Sequence, residues 1–354
     1  MDWSIYEAKF ISTAKSRNMP VSKIDGFLEY ARNLYDANLP IIYDQHHLCL
    51  LIGIDDEYLH RMSNAPQHFY RTFFIKKANG KQRRIDEPLP DLKKVQRWIL
   101  SNILYNVPCS IYAKAYIPET SLKGNVRFHK NQTSVLAIDI KDYFPSITVG
   151  RILNLFIGLG YTFPVSVFLA NLCCLNGSLP QGAPTSAYLS NLIMRNFDAI
   201  VGEYAKANSI RYTRYADDLT FSGDLNISDI LLLVDRELSY LGLKRNPKKF
   251  KVMRQKERQI VTGIVVNNKP QMPREYRMKI RQEVYYIQKH GLSSHLKHTN
   301  ETKSNYLNHL LGQIHYCLFI NPKDSKMQEY LRIIESLNTA QLHSINDSQK
   351  PSSE

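Results

Sequence analysis

From Ile5 to about Met62 the apolar residues recur mainly at helical intervals, as in Leu48, Leu51, Ile52, Leu59 and Met62. This spacing predicts a helical region over residues 1–65, with Asp44 and Asp55 placed to cap two of its helices. The pattern then changes to strand-like alternation at Phe69–Ile75. Ala78-Asn79-Gly80 offers a turn, and Gln82–Ile85 a returning strand, so a hairpin is expected. Leu92–Leu104 reads as an amphipathic helix, and the apolar run Val135–Ile138 as a buried strand that ends at Asp139. Helical patterns follow from Gly150 to about Leu175 and from Ala187 to Tyr204. Ile210–Tyr215 and Leu219–Ser222 read as two strands meeting at Asp217-Asp218. Beyond them come a helix at about Ile230–Leu241, a strand at Gln259–Val266 and helices from Pro273 to about Leu337. The polar stretch 341–354 is expected to fray.

Composition changes this picture in one respect. The 354 residues are 44% hydrophobic, enough to bury real cores in two or three lobes. Lys and Arg number 46 against 32 Asp and Glu, a formal charge of +14. Such an excess suits a polyanionic partner, since each neutralised phosphate releases a counterion; taken alone it equally suits an anionic membrane surface. The charge-free stretch between Arg151 and Arg195 is broken by Asn154, Gly160, Pro164, Asn171 and Gly177, which predicts a buried segment and no membrane span. Cys49, Cys109, Cys173, Cys174 and Cys317 form no C-x-x-C and read as reduced, buried thiols of a cytoplasmic protein.

Tyr215-Ala216-Asp217-Asp218 carries the sharpest chemistry. Neighbouring residues inside a strand point to opposite faces, but at a hairpin tip both carboxylates can project past the sheet edge and hold metal. Acidic pairs are common in surface turns; this one is flanked by Ile210, Leu219 and Phe221, and a buried acidic turn needs a cation. If the strand ending at Asp139 lies beside the hairpin, Asp139 and Asp217 can clamp two Mg²⁺ ions about 4 Å apart, and carboxylate and phosphate oxygens suit that ion. Asp142 reads as a cap for the helix that follows. In Leu179-Pro180-Gln181-Gly182-Ala183-Pro184-Thr185-Ser186 two prolines around a glycine stiffen a loop, and Thr185 or Ser186 can cap the next helix.

These segments, in this order between about Tyr70 and Ile287, resemble the motifs of reverse transcriptases. The resemblance implies an α+β right-hand polymerase with an N-terminal helical region: fingers over 66–134, a palm over 135–268 to which helices 150–178 add finger surface, and a helical thumb or RNA-recognition region over 269–340. It implies that Asp139, Asp217 and Asp218 ligate Mg²⁺, which Mn²⁺ can replace, with the Ile140 carbonyl as a further ligand. Phe144 falls on the aromatic that crowds a 2′-hydroxyl, and Gln181 with Gly182 on the loop that contacts the incoming nucleotide. Arg83 matches the arginine that grips the triphosphate, with Arg84 as its competitor. Lys249 matches a lysine that protonates pyrophosphate, with a merely solvated lysine as the alternative. Val261-Thr262-Gly263 and Asn125-Val126-Arg127-Phe128-His129 are similar to elements of retron enzymes, although Val126 stands where those have alanine.

The basic run Lys244, Arg245, Lys248, Lys249, Lys251, Arg254, Lys256 and Arg258 follows the hairpin, where it would grip template and primer phosphates or form a solvated charged face. Arg274, Arg277, Lys279 and Arg281 alternate with Tyr276, Tyr285 and Tyr286, a pattern that suits structured RNA or, equally, the outer face of an amphipathic helix. The retron resemblance implies a structured non-coding RNA as template and primer, deoxynucleotide substrates, a branched RNA-linked DNA product, a separately encoded effector, host RNase H for template removal, and a role in anti-phage defence. Reverse transcriptases of introns or other defence systems, or an RNA-binding scaffold that restrains an effector, are the alternatives.

Overall fold

The computed structural model describes residues 2–76, 80–300 and 305–348, with side chains to residue 338. It opens with helices Trp3–Ser16, Val21–Asp36, Gln45–Ile52 and Asp56–Asn64. Asp44 and Asp55 cap the last two as expected, accepting from the His47 and Tyr58 amides at 2.8 and 3.0 Å. Strands β1 (Tyr70–Lys76) and β2 (Gln82–Pro88) pair antiparallel in the expected hairpin. Residues 77–79 of its expected turn lie outside the described residues.

Four further strands form the central sheet: β3 (Ser134–Asp139), β4 (Arg211–Tyr215), β5 (Asp218–Gly223) and β6 (Lys251–Arg254). Their order is β4-β5-β3-β6, antiparallel throughout. The apolar run predicted as a buried strand is β3, whose Val135, Leu136 and Ile138 are buried. One core joins residues from Leu34 to Leu243, so the N-terminal helices and the sheet share their packing. A second core gathers Val135 and Met253 from the sheet with Ile280, Val284, Leu310, Ile314 and Ile334 of the C-terminal helices. The architecture is α+β, as the resemblance implies. All five cysteines are free, and among the described residues no helix is long and apolar enough to cross a membrane.

Several elements differ from expectation for local reasons. The helical pattern 150–175 is two helices, Val149–Gly158 and Phe163–Cys173, because Gly160 turns the chain at φ +99° and Pro164 starts the second. The strand expected at Gln259–Val266 is a short hairpin of β7 (Ile260–Val261) and β8 (Ile264–Val265). Its turn residues Thr262 and Gly263 have φ of +46° and +84°, the left-handed pair that a tight two-residue hairpin demands. The last helix, Ser325–Ser348, runs past residue 341, and 349–354 lie outside the described residues. Asp142 precedes the short helix Tyr143–Ser146, but its side chain makes no capping bond. Nor does Thr185 cap Ser186–Ile193: its buried hydroxyl meets the Cys173 thiol, while the Ser186 hydroxyl is buried without a partner.

Behind the tip of β4 and β5 lies an ion pair that sequence patterning did not anticipate. Arg214 and Asp198 are both fully buried and meet through two bonds, Nε to Oδ1 at 2.8 Å and Nη2 to Oδ2 at 2.7 Å. Arg214 Nη1 also donates to Asn191 Oδ1 at 3.0 Å and to the Ala216 carbonyl at 3.1 Å, and the Tyr212 hydroxyl donates to Asp198. Removing one partner would leave the other charge buried and uncompensated. Asp198→Ala should therefore cost about 3–5 kcal/mol of stability in urea unfolding; a loss within experimental error would show that the pair does not brace the sheet.

Candidate active site

Three carboxylates meet where the central sheet ends. Asp139 closes β3 and stands opposite Asp218, the first residue of β5. Tyr215 pairs with Asp218 across the β4–β5 hairpin, which leaves Ala216 and Asp217 as a two-residue turn. Ala216 has φ +56°, costly for a residue with a Cβ. Two bonds hold it there: Arg214 grips the Ala216 carbonyl, and the Ile140 amide donates to the Asp217 carbonyl at 2.9 Å. Asp139 and Asp217 thus sit on adjoining, mutually bonded segments.

Clustered like charges leave their mark. Desolvation first, then the Asp217 and Asp139 carboxylates, push the Asp218 carboxyl up to about 6, although the residue keeps an exposed surface. Desolvation likewise raises Asp217, against the pull of its own backbone amide, Lys249 and Arg83. Asp139 is buried, and both of its oxygens are taken: Oδ1 accepts from Lys249 Nζ at 2.5 Å and Oδ2 from Asn246 Nδ2 at 3.1 Å. That bond holds the Lys249 ammonium above its ordinary value. Lys249 is therefore a tethered cation for the cluster. Among the described residues no group of three or more acidic, histidine or cysteine side chains is already gathered around one metal position. The donor set still fits a hard divalent cation, being all carboxylate oxygen and short of positive charge; Asp139 would have to exchange Lys249 for the ion.

Beside the carboxylates, a cleft of about 290 Å³ is lined by Gln82, Arg83, Arg84, Asp86, Pro145 and Gln181, among others. Three segments distant in sequence thereby come together, with half-buried Phe144 next to Pro145. The two candidate arginines separate cleanly. Arg84 Nε is bound to Asp86 Oδ1 at 2.9 Å, whereas Arg83, on the opposite face of β2, acts electrostatically on Asp217. Gly182 has a packing reason to be glycine: a Cβ there would stand 2.8 Å from the Asp86 carbonyl oxygen and 2.9 Å from Ile85 Cγ2, at φ +134°. Tyr116 is a neighbour not singled out from the sequence. Its φ is +62°, it is exposed, and burial of its hydroxyl, then the Asp217 charge, raise its pKa. Its segment has no apolar periodicity that would have marked it.

The basic residues divide. Lys244, Lys248, Lys251 and Arg254 are exposed, whereas Arg245 is held by both oxygens of Asp235 at 2.7 and 2.9 Å. Arg274, Arg277 and Arg281 line a cleft of about 470 Å³ with Lys326 and Tyr330, although Arg277 is paired with buried Asp324 at 2.7 Å. Lys279 stands 3.8 Å from Glu283. The other two singled-out segments meet in the second core, which contains Val126 and Val261. His129 is fully buried between Ser222 and Thr213, at 2.7 and 2.8 Å, and Thr213 donates to Asn125 Oδ1 at 2.7 Å.

These shifts give a pH prediction. A free Asp titrates near 3.9, so a native value of about 6 means that the folded chain holds the Asp218 proton more tightly than the unfolded chain. This stabilisation is full below about pH 4 and lost as pH rises through 6. Buried His129, depressed to about 3, acts in the opposite sense, costing stability as pH falls below its ordinary 6.5. Asp218→Asn removes only the first effect. In chelating buffer the variant should melt above the parent at about pH 7, with the gap closing towards about pH 4; a gap independent of pH would refute the raised Asp218 carboxyl.

The comparisons with known proteins agree with this geometry. The reverse transcriptase (RNA-dependent DNA polymerase) family model matches residues 75–307. The retron Ec86 reverse transcriptase of Escherichia coli is 32% identical over 271 residues, covering 75% of this chain and 84% of that one. The retron Mx65 reverse transcriptase of Myxococcus xanthus is 30% identical over 342 residues, covering 90% and 77%. An apo telomerase structure from Candida tropicalis aligns at a TM-score of 0.41 and 10% identity over 59% of this chain and 56% of that one, too slight a likeness to add weight. The chain belongs to the reverse transcriptases, RNA-directed DNA polymerases, and among them to the retron type.

Proposed function

We propose that the chain copies a structured non-coding RNA into DNA that stays joined to that RNA through the 2′-hydroxyl of an internal guanosine. The observation that carries the catalytic assignment is the cross-strand pairing of Asp139 with Asp218 beside the Asp217 turn. In this reading Asp139, Asp217 and Asp218, with the Ile140 carbonyl, hold Mg²⁺. When bound, Mg²⁺ lowers the pKa of the attacking hydroxyl and neutralises the departing pyrophosphate. The chain's own groups do the rest. Arg83 grips the triphosphate, Gln181 and Gly182 shape the nucleotide cleft, and Phe144 excludes a ribose 2′-hydroxyl. Lys249, which the structure bonds to Asp139, would be released by the metal and give a proton to pyrophosphate.

Lys244, Lys248, Lys251 and Arg254 offer exposed cations for template and primer phosphates, and the cleft of Arg274, Arg277 and Arg281 offers a site for folded RNA. The helical stretch 269–340 serves as the thumb in this scheme. A separately encoded effector, template removal by host RNase H, action in the cytoplasm and a part in anti-phage defence complete the proposal.

Two measurements on one preparation test it. Asp217→Asn should abolish RNA-templated incorporation of deoxynucleotides while leaving the circular dichroism spectrum unchanged; surviving synthesis would sink the carboxylate assignment. Nucleic acid copurified from the native operon should contain single-stranded DNA joined to RNA at a 2′ branch. Unlinked DNA would leave the polymerase standing and remove the branched product.

A further inference from the structure

The segment Asn125–His129 is not used by the chemistry above, yet it walls the roomiest of the clefts described. That cleft, about 480 Å³, lies at the outer edge of β4, on the side away from β3. Its size falls among those of small-ligand sites, about 300–1,000 Å³. Residues 111–114 run beside β4 to form one wall: Ala113 bridges Arg214 in parallel, and the Lys114 amide donates to the Arg214 carbonyl at 2.8 Å. Helix Leu122–Phe128 forms the other.

The lining combines two chemistries. Ile111, Tyr112, Phe128 and Tyr212 make it apolar and aromatic, and two of these are left open to solvent, Ile111 by 77% and Phe128 by 46%. Together with the ring faces inside, they make a contiguous apolar surface rimmed by polar groups, the form a binding groove takes. Cations sit at the same place. The Arg211 guanidinium lies over the Phe128 ring at 5.5 Å and donates to the Phe128 carbonyl, and Lys114 donates to the Ile111 carbonyl at 2.6 Å. Glu119 is the one acid in the lining.

Beneath them is an unsatisfied group. Asn125 is fully buried; its Oδ1 accepts from Thr213, but its Nδ2 has no hydrogen-bond partner. An orphaned buried donor is costly unless something completes it. His129 accounts for the orientation of this amide. With its imidazole kept neutral by burial, it fixes the Thr213 hydroxyl that bonds Asn125 Oδ1 and so leaves the NH₂ side unmatched.

We infer that this cleft receives an unpaired nucleobase of the bound RNA, stacked on Phe128, with Arg211 and Lys114 facing its phosphates and the Asn125 amide offered to a base acceptor. Aromatic planes, guanidinium groups and buried amides are what proteins use to hold splayed-out RNA bases. The inference rests on the reading of the chain as an RNA-copying enzyme and adds a site whose lining contains none of the three carboxylates.

Phe128→Ala and Ile111→Glu test it, since both side chains are open enough to change without emptying the core. The probes are a short single-stranded RNA of mixed sequence and its blunt-ended duplex. Each variant should bind the single strand about ten-fold more weakly, the loss expected for one base–aromatic stack, with duplex affinity, melting temperature and extension of a paired primer unchanged. Photo-crosslinks from thiouridine in the single strand should map to residues 111–128 of the parent and disappear in Phe128→Ala. Unchanged single-strand binding, equal losses for both probes, or crosslinks confined to other segments would overturn the site while extension continues. A parent chain that extends no primer on RNA would instead remove the reading beneath it.

Discussion

Like charges cannot be gathered without something that holds them, and here the restraint is the buried Arg214–Asp198 pair. Its guanidinium grips the carbonyl of Ala216, the strained residue of the turn, while the carboxylate of Asp198 keeps that guanidinium in place. The turn can therefore present Asp217 and Asp218 against their mutual repulsion. Such a pair is a poor guide to net stability, since hydrophobic residues of similar volume often pack as well. What it supplies here is position: one side chain ties the strand, the helix Arg195–Ala207 and the turn together.

On the other side of the carboxylates, Lys249 offsets charge with an ammonium on a long, exposed stem. Unlike Arg214 it can leave. Its bond to Asp139 gives the cluster an internal counter-ion. A fixed buried cation and a movable exposed one thus divide two tasks, shaping the turn and balancing its charge.

Much of this was legible in the sequence, for identifiable reasons. The apolar run before Asp139 and the apolar flanks of Asp217-Asp218 announced strands, because hydrophobic runs on either side of an acidic turn are what a buried hairpin requires. Asp44 and Asp55 announced helix starts through local bonding alone. The Arg214–Asp198 pair was not legible: sixteen positions separate its members, and nothing local marks Asp198 as buried. A charged residue inside the strand Arg211–Tyr215 was the available sign, since a buried arginine must have a partner. Tyr116 was hidden because its place depends on a bridge to β4. Gly182 falls by sequence on the nucleotide loop, and its lack of a Cβ also lets that loop lie against β2. Asn125 and His129 stand out in sequence only as a signature, whereas the fold makes them tie a helix to the sheet.

The central claim is that the end of β3 and the β4–β5 turn form one metal-holding centre. Its most direct test is Mn²⁺ binding to the full chain, followed by electron paramagnetic resonance with a paired primer–template and a deoxynucleotide that cannot be extended. The account predicts a protein-bound Mn²⁺ signal that is lost in Asp139→Asn as well as in Asp217→Asn, because the two carboxylates come from adjoining segments of one site. Undiminished binding in either variant would contradict it.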